Sequence, residues 1–359
     1  MQSRYSRQVI LQNIGQKGQE KLLNSSVAIV GCGALGTVAA NNLARAGVGK
    51  ILIIDRDFVE LNNLQRQMLF DENDVGAPKA VAAAEKIASI NSDIEVHPII
   101  KDINYTNIEE ILNGVDLVID GTDNIQTRML INDVCVKNRI PWIYTGAIGT
   151  SGMSMNILPD KACIRCLYPG IPKAGSLPTC DTMGVLNTIT VIMGSIETTE
   201  AIKILLGFYD DIESTNSNLL VYDTWNHSFD SIMVKKNEKC ECCGKKNYEF
   251  IDSDEQEIIT SLCGRNAIQI TPADPKELSL KSIGDKLEKL GTVKCSDFIM
   301  LFKNDETEIS LFRDGRAIIK GTDDEAVART IYARYIGTWI VKFITRESED
   351  QISQHAGII

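Results

Sequence analysis

The sequence predicts an α/β fold: a mostly parallel sheet with helices on both faces, followed by a small α+β domain. Three observations predict it. Short apolar runs alternate with helical patterns over the first two-thirds of the chain, and one such run enters a Gly-x-Gly-x-x-Gly turn near the N-terminus. The rhythm then changes after an acidic, irregular stretch near residue 250. In order, 27–30 reads as a strand, 35–46 as a helix, 50–54 as a strand ending at Asp55, and 77–90 as an Ala-rich helix with Lys79 in its first turn. Strands follow at 95–99, 115–120 and 142–145, with a helix at 128–137 before the last. A helix at 188–206, broadly apolar and stopped by Gly207, precedes strands at 219–222 and 231–234.

Residues 247–258 read as a linker between a nucleotide-type domain over 1–246 and a small α+β domain over 259–345, with a charged tail at 346–359. In the small domain a strand at 267–270 and a helix at 278–290 precede strands at 299–302, 308–312 and 317–320. Asp314-Gly315 turns the chain between the last two, and a helix at 324–335 closes the domain.

A chain of 359 residues is long enough for one large domain and a smaller one. The net charge of −11 argues against a nucleic-acid partner, which needs a concentrated basic face. The first residues are polar and lead into no apolar leader, and no run reaches membrane-spanning length, so a cytoplasmic protein without a membrane partner is expected. In that setting ten cysteines favour metal ligation or thiol chemistry over disulfides.

Gly31, Gly33, Ala34 and Gly36 form a turn between a strand and a helix, where backbone N–H groups can approach a phosphate. Asp55, about twenty residues on at the end of the next strand, is placed to take ribose hydroxyls, which makes the domain Rossmann-like. Taken alone, this suits a dinucleotide-dependent dehydrogenase. Arg66, in the segment Asn62-Asn63-Leu64-Gln65-Arg66-Gln67, lies outside such a fingerprint, and with Lys79 it suits a triphosphate; the alternative is that both are ordinary surface charges. Asp123, after the strand 117–120 and before Asn124, is a natural Mg²⁺ ligand beside phosphate, or else part of an Asp-Asn turn. The chain has no Gly-x-x-x-x-Gly-Lys-Ser/Thr loop.

Cys163, Cys166, Cys240 and Cys243 form two Cys-x-x-Cys pairs whose four thiolates satisfy tetrahedral Zn²⁺. Cys242 lies inside the second pair and leaves the ligand choice open, and a redox pair or a disulfide is the rival reading. Cys180 follows a Pro/Gly-rich stretch at 169–178 and is expected to be a reachable thiol. Cys32, Cys135, Cys263 and Cys295 read as small core residues, and His97, His227 and His355 form no ligand cluster.

These motifs resemble the ThiF/MoeB/HesA family of adenylyltransferases, relatives of the ubiquitin-activating enzymes. Arg4-Tyr5-Ser6-Arg7-Gln8, Gly31 to Gly36, Asp55, Asn62 to Gln67, Gly76-Ala77-Pro78-Lys79 and Thr122-Asp123-Asn124 match in family order. The two cysteine pairs and Thr179-Cys180-Asp181-Thr182-Met183-Gly184-Val185 complete the likeness over residues 1–245. The small terminal domain, with Leu262-Cys263-Gly264-Arg265 and Asp314-Gly315-Arg316, resembles tails on some bacterial members.

The resemblance implies ATP-dependent adenylation of the C-terminal glycine of a ubiquitin-like sulfur carrier, ThiS-like or MoaD-like, for thiamine or molybdopterin synthesis. It implies that Arg66 and Lys79 grip the phosphates, that Asp123 holds Mg²⁺, and that Asn62, Asn63, Gln65 and Asn124 help line the ATP pocket. Arg7 matches an arginine that reaches the neighbouring subunit's ATP in a homodimer. Cys180 matches a cysteine that, in some members, links to the carrier or helps pass sulfur from a donor protein. The alternatives are an NAD-dependent oxidoreductase, a nucleotide-binding regulator without turnover, and adenylation of a short peptide.

Overall fold

The computed structural model describes residues 3–170, 183–208, 218–252, 258–262, 267–272, 277–305, 307–322 and 324–337. The chain divides into two compact units, with the main boundary after residue 253.

Five parallel strands form the centre of the first unit: β1 (Ser26–Val30), β2 (Lys50–Ile54), β3 (Glu95–Ile99), β4 (Leu117–Asp120) and β5 (Trp142–Ile148). Three antiparallel strands extend it: β6 (Ser151–Ile157), β7 (Leu219–Asp223) and β8 (Ser228–Ile232). The order across the sheet is β3-β2-β1-β4-β5-β6-β7-β8. Its main helices are α1 (Gly15–Leu23), α2 (Ala34–Ala46), α3 (Lys79–Ile90), α4 (Ile125–Asn138) and α5 (Asn187–Leu206).

Side chains alternate across a strand, and here both faces are covered, so the central strands read as unbroken apolar runs. Val27 and Ile29 of β1 pack with Leu43 of α2, Ile87 of α3 and Ile204 of α5. Ala28 and Val30 face the other way and pack with Met129, Ile131 and Val134 of α4. The predicted α/β architecture with helices on both faces is therefore the observed one.

The differences have local causes. β6 (Ser-Gly-Met-Ser-Met-Asn-Ile) has too little strand character to be read as one. Its inward polar side chains meet tertiary partners: Ser154 meets the Thr145 hydroxyl at 3.1 Å and Asn156 donates to Glu200 at 2.6 Å. β8 starts three residues earlier than expected, because the turn through His227 (φ 53°) ends sooner; all five of its residues are exposed. Tyr248, Phe250 and Ile251, in the stretch read as linker, pack on the core beneath α4.

In the second unit β9 (Ile258–Leu262), β10 (Ala267–Thr271), β11 (Thr292–Cys295), β12 (Ile299–Lys303), β13 (Glu308–Phe312) and β14 (Ala317–Lys320) form an antiparallel sheet ordered β11-β12-β13-β14-β10-β9. Leu280, Ile283 and Leu287 of α6 (Leu280–Leu287) pack on Met300, Phe302, Ile309 and Leu311. Ile268, Ile270 and Ile319 pack with Ala328 of α7 (Glu325–Tyr332). α6 is shorter than the expected 278–290 because Ser279 caps its start, accepting from the Ser282 N–H. Cys295, expected in the core, is exposed on β11, a strand the sequence did not reveal; Cys263 lies outside the described residues.

The chain lays β2 and β3 on one side of β1 and then returns with β4 on the other, so the crevice between β1 and β4 is the sheet's switch point. There the backbones after the two strands nearly touch: a Cβ on Gly121 would fall on the Gly31 carbonyl, and one on Gly31 would lie 2.6 Å from the Gly121 carbonyl. Gly121→Ala is expected to cost roughly 3 kcal/mol of stability, measurable as a lowered urea midpoint at unchanged slope.

Candidate active site

The site is built at the C-terminal ends of β1, β2 and β4. Gly31 (φ 91°) turns the chain out of β1, and Gly36, in the first turn of α2, sits against the Gly31 carbonyl with no room for a Cβ. No side chain caps α2, so its leading N–H groups face the crevice. Gly33 is different: a Cβ there would meet only the Gly121 carbonyl oxygen, at an ordinary 3.7 Å. The fold does not require that glycine, and the space it leaves fits a ligand's close approach.

Asp55, at the end of β2, accepts from the Cys32 N–H at 2.6 Å and from the Asp57 N–H at 2.7 Å. Its carboxylate holds the glycine turn in place, a structural task beyond the expected hold on a ribose. Burial raises its pKa, and the charge of Lys79 opposes that rise. Lys79 arrives there because Gly76 to Lys79 pairs with Asp57 to Val59: the Gly76 N–H donates to the Val59 carbonyl and the Lys79 N–H to the Asp57 carbonyl, each at 2.9 Å. The buried Lys79 ammonium lies 3.7 Å from Asp57.

Asp123, on the turn after β4, is exposed. Its charge acts on Arg56, which pairs with Asp102 at 2.7 Å, and on Arg128. Asn124 is the N-cap of α4, its side chain accepting from the Thr127 N–H at 2.8 Å. Arg128 on α4 clamps this turn: Nε donates to the Asp120 carboxylate at 2.8 Å, and Nη2 donates to the carbonyls of Thr122 at 2.6 Å and Thr145 at 3.2 Å.

Gly31, Gly33, Ala34, Gly36, Asp55, Lys79 and Asp123 thus gather about one sheet edge. The Asn62–Gln67 segment follows β2 on a separate loop. Asn63 is buried and uses its amide on Asn62 and on the Glu60 N–H, while Asn62 and Gln65 are exposed. Arg66 donates to the Asn62 carbonyl at 3.0 Å. Arg7 is exposed on the short helix Ser6–Val9, and Cys180 lies outside the described residues. Reading the sequence alone missed Arg56, Asp120 and Arg128. Asp120, a carboxylate closing an apolar strand, was the one visible hint.

Away from this edge, the sulfur atoms of Cys163, Cys166, Cys240 and Cys243 all lie within 4.8 Å of one another. Cys163 and Cys240 are 3.7 Å apart and Cys166 and Cys243 are 3.4 Å apart, too far for disulfides and close to the edge of a Zn–thiolate tetrahedron, about 3.8 Å. Cys242 stands outside the four, its sulfur accepting from Asn132 Nδ2 at 3.1 Å. The Asn237 N–H donates to Cys166 Sγ at 3.5 Å.

Residues 5–242 match the model of the ThiF family. The chain belongs to the ThiF family. It is 37% identical over 343 residues to the sulfur carrier protein ThiS adenylyltransferase of Bacillus subtilis, an alignment spanning 94% of this chain and all of that one. The SAMP-activating enzyme E1 of Haloferax volcanii is 39% identical over 249 residues, 69% of this chain and 91% of the relative. Among solved structures, E. coli MccB with ATP superposes with a TM-score of 0.59 at 25% identity, covering 67% of this chain and 74% of MccB. The family resemblance read from the motifs is borne out, and the dehydrogenase alternative falls away.

Gly33→Ala in this ThiF-family chain should leave the melting temperature within about 2 °C of wild type yet weaken ATP binding at least tenfold by calorimetry. Metal analysis of reduced protein should return one zinc per chain, and Cys240→Ser should lose the zinc and roughly 4 kcal/mol or more of stability.

Proposed function

We propose that this protein adenylates the C-terminal glycine carboxylate of a ubiquitin-like sulfur-carrier protein, ThiS-like or MoaD-like, using ATP in thiamine or molybdopterin synthesis. The observation that carries this reading is the glycine turn, Lys79 and Asp123 gathered at the switch point, in a chain alignable over nearly its whole length with a ThiS adenylyltransferase. A carrier oxygen bonds to the α-phosphorus of ATP, the bond from that phosphorus to the β-phosphate bridge breaks, and pyrophosphate leaves. A C-terminal carboxylate is ionised at neutral pH, its pKa being about 3.5, so no general base is needed. What the enzyme must do is align two anions and offset their repulsion.

Lys79 is buried and therefore acts at high effective strength. Arg66 reaches the phosphates by leaving its own loop carbonyl. Asp123, exposed and positioned by the Arg128 clamp, holds Mg²⁺, which neutralises charge on the phosphates. The four thiolates hold structural Zn²⁺ in a closed site.

Arg7 completes the ATP site of a second copy in a homodimer. Ile10 and Leu11 beside it, and Leu61 and Met68 on either side of Arg66, are exposed apolar side chains of the kind such an interface covers. No helix among the described residues is long and apolar enough to cross a membrane. Cys180 offers a thiol for linkage to the carrier or for sulfur relay, a role adenylation itself does not require, and sulfur comes from a separate donor protein.

ATP–pyrophosphate exchange with each candidate carrier tests the reading. Exchange should depend on one carrier, and Asp123→Ala and Arg66→Ala should each lower it at least 100-fold while circular dichroism stays unchanged. Full exchange in either folded variant removes that residue from the site, and exchange with a short peptide alone moves the substrate class.

A further inference from the structure

Glu197, on the inward side of α5, is fully buried, and neither of its carboxyl oxygens has a hydrogen-bond partner among the described residues. The charged groups that face it are Asp120 at the end of β4 and Arg128 on α4, with the Thr145 hydroxyl beside them. The other elements packed on α5, namely α1, α2, β5 and β6, present no further charge to it. Glu200, one turn along α5, is occupied elsewhere, accepting from Asn156 at 2.6 Å and Lys203 at 2.7 Å.

Two buried carboxyl groups therefore share one guanidinium, which is already paired with Asp120 and bonded to two carbonyls. Arg128 gives Nε to Asp120, and Nη2 to the carbonyls of Thr122 and Thr145. Asp120 is fully engaged as an anion, with Oδ1 accepting from the Thr122 N–H at 2.9 Å and the Thr122 hydroxyl at 2.6 Å. One cation balances one anion. A second carboxylate there would be an uncompensated buried charge beside a like charge, the costliest arrangement a core can hold. It would also draw Arg128 off the two carbonyls.

We propose that Glu197 is a positioning residue of the nucleotide site: as an uncharged carboxylic acid behind the Asp120–Arg128 pair, it leaves Arg128 free to fix the turn that carries Asp123. Burial, then Asp120, push the Glu197 pKa well above the usual carboxylate range, against the smaller pull of Thr145 and Arg128. The role in catalysis rests on the reading that Asp123 serves ATP; the protonation state does not.

Glu197→Gln keeps the shape and removes the titration, so it is the test. The infrared difference spectrum between wild type and E197Q at neutral pH should contain a protonated-carboxyl band. A raised folded pKa makes stability fall as pH climbs from the unfolded pKa toward the folded one, by up to about tenfold in the folding constant per pH unit. E197Q should therefore unfold at higher urea than wild type near pH 8, with the gap closing near pH 4. Exchange at saturating ATP should stay within about twofold of wild type in E197Q and drop about tenfold in Glu197→Ala, with the KM for ATP little changed. An ionised-carboxylate band, parallel stability curves, or loss of exchange in folded E197Q would each overturn the proposal. Absence of exchange in wild type would strike the adenylation reading alone, while the infrared and urea results would still uphold or overturn the uncharged Glu197.

Discussion

Everything at the nucleotide edge depends on one steric constraint, the mutual approach of the Gly31, Gly36 and Gly121 backbones. With no side chain at these positions, the turn after β1, the first turn of α2 and the turn after β4 can occupy nearly the same space. That contact seats the start of α2 against the sheet, so its unpaired N–H groups point where a phosphate can reach them. It also sets the turn bearing Asp123 beside the glycine turn. The crowding and the exposed N–H groups thus come from the same few backbone atoms.

On this steric frame the charges are arranged in layers. Asp55 and Asp120 close the two strands that flank β1, and each is anchored by backbone N–H groups while a cation stands near: Lys79 for Asp55, Arg128 for Asp120. Such pairs contribute little net stability after desolvation, but they fix orientation. Asp123 and Arg66 are exposed or loosely held, whereas the buried Asp55, Asp120 and Arg128 hold the scaffold.

What the sequence made legible was local. The strand-glycine-helix turn, the acid at the end of β2 and the paired cysteines each carry their chemistry within a few residues, and the structure keeps them as expected. What escaped was tertiary. β6 is polar because Thr145 and Glu200 meet its side chains from other elements. Arg128 looks like any helix arginine until Thr145 and Asp120 are seen around it. Glu197 is one of two acids in a largely apolar helix, and the surroundings that set it apart from Glu200 exist only after folding. Cys295, small and apolar by composition, fell on the edge strand β11, three of whose four residues are exposed.

Among the described residues β8 ends the large sheet, pairs with β7 alone, and exposes all five of its residues, among them Phe229 and Ile232. A row of free backbone donors and acceptors beside apolar side chains is a template for strand addition by another chain. Asp230 sits in the middle of that strand, and the molecule as a whole carries a charge of −11, so approaching copies repel one another. Colloidal behaviour then turns on the ionic medium: high salt or acidification weakens that repulsion and lets open edges meet, while dilute neutral buffer keeps them apart.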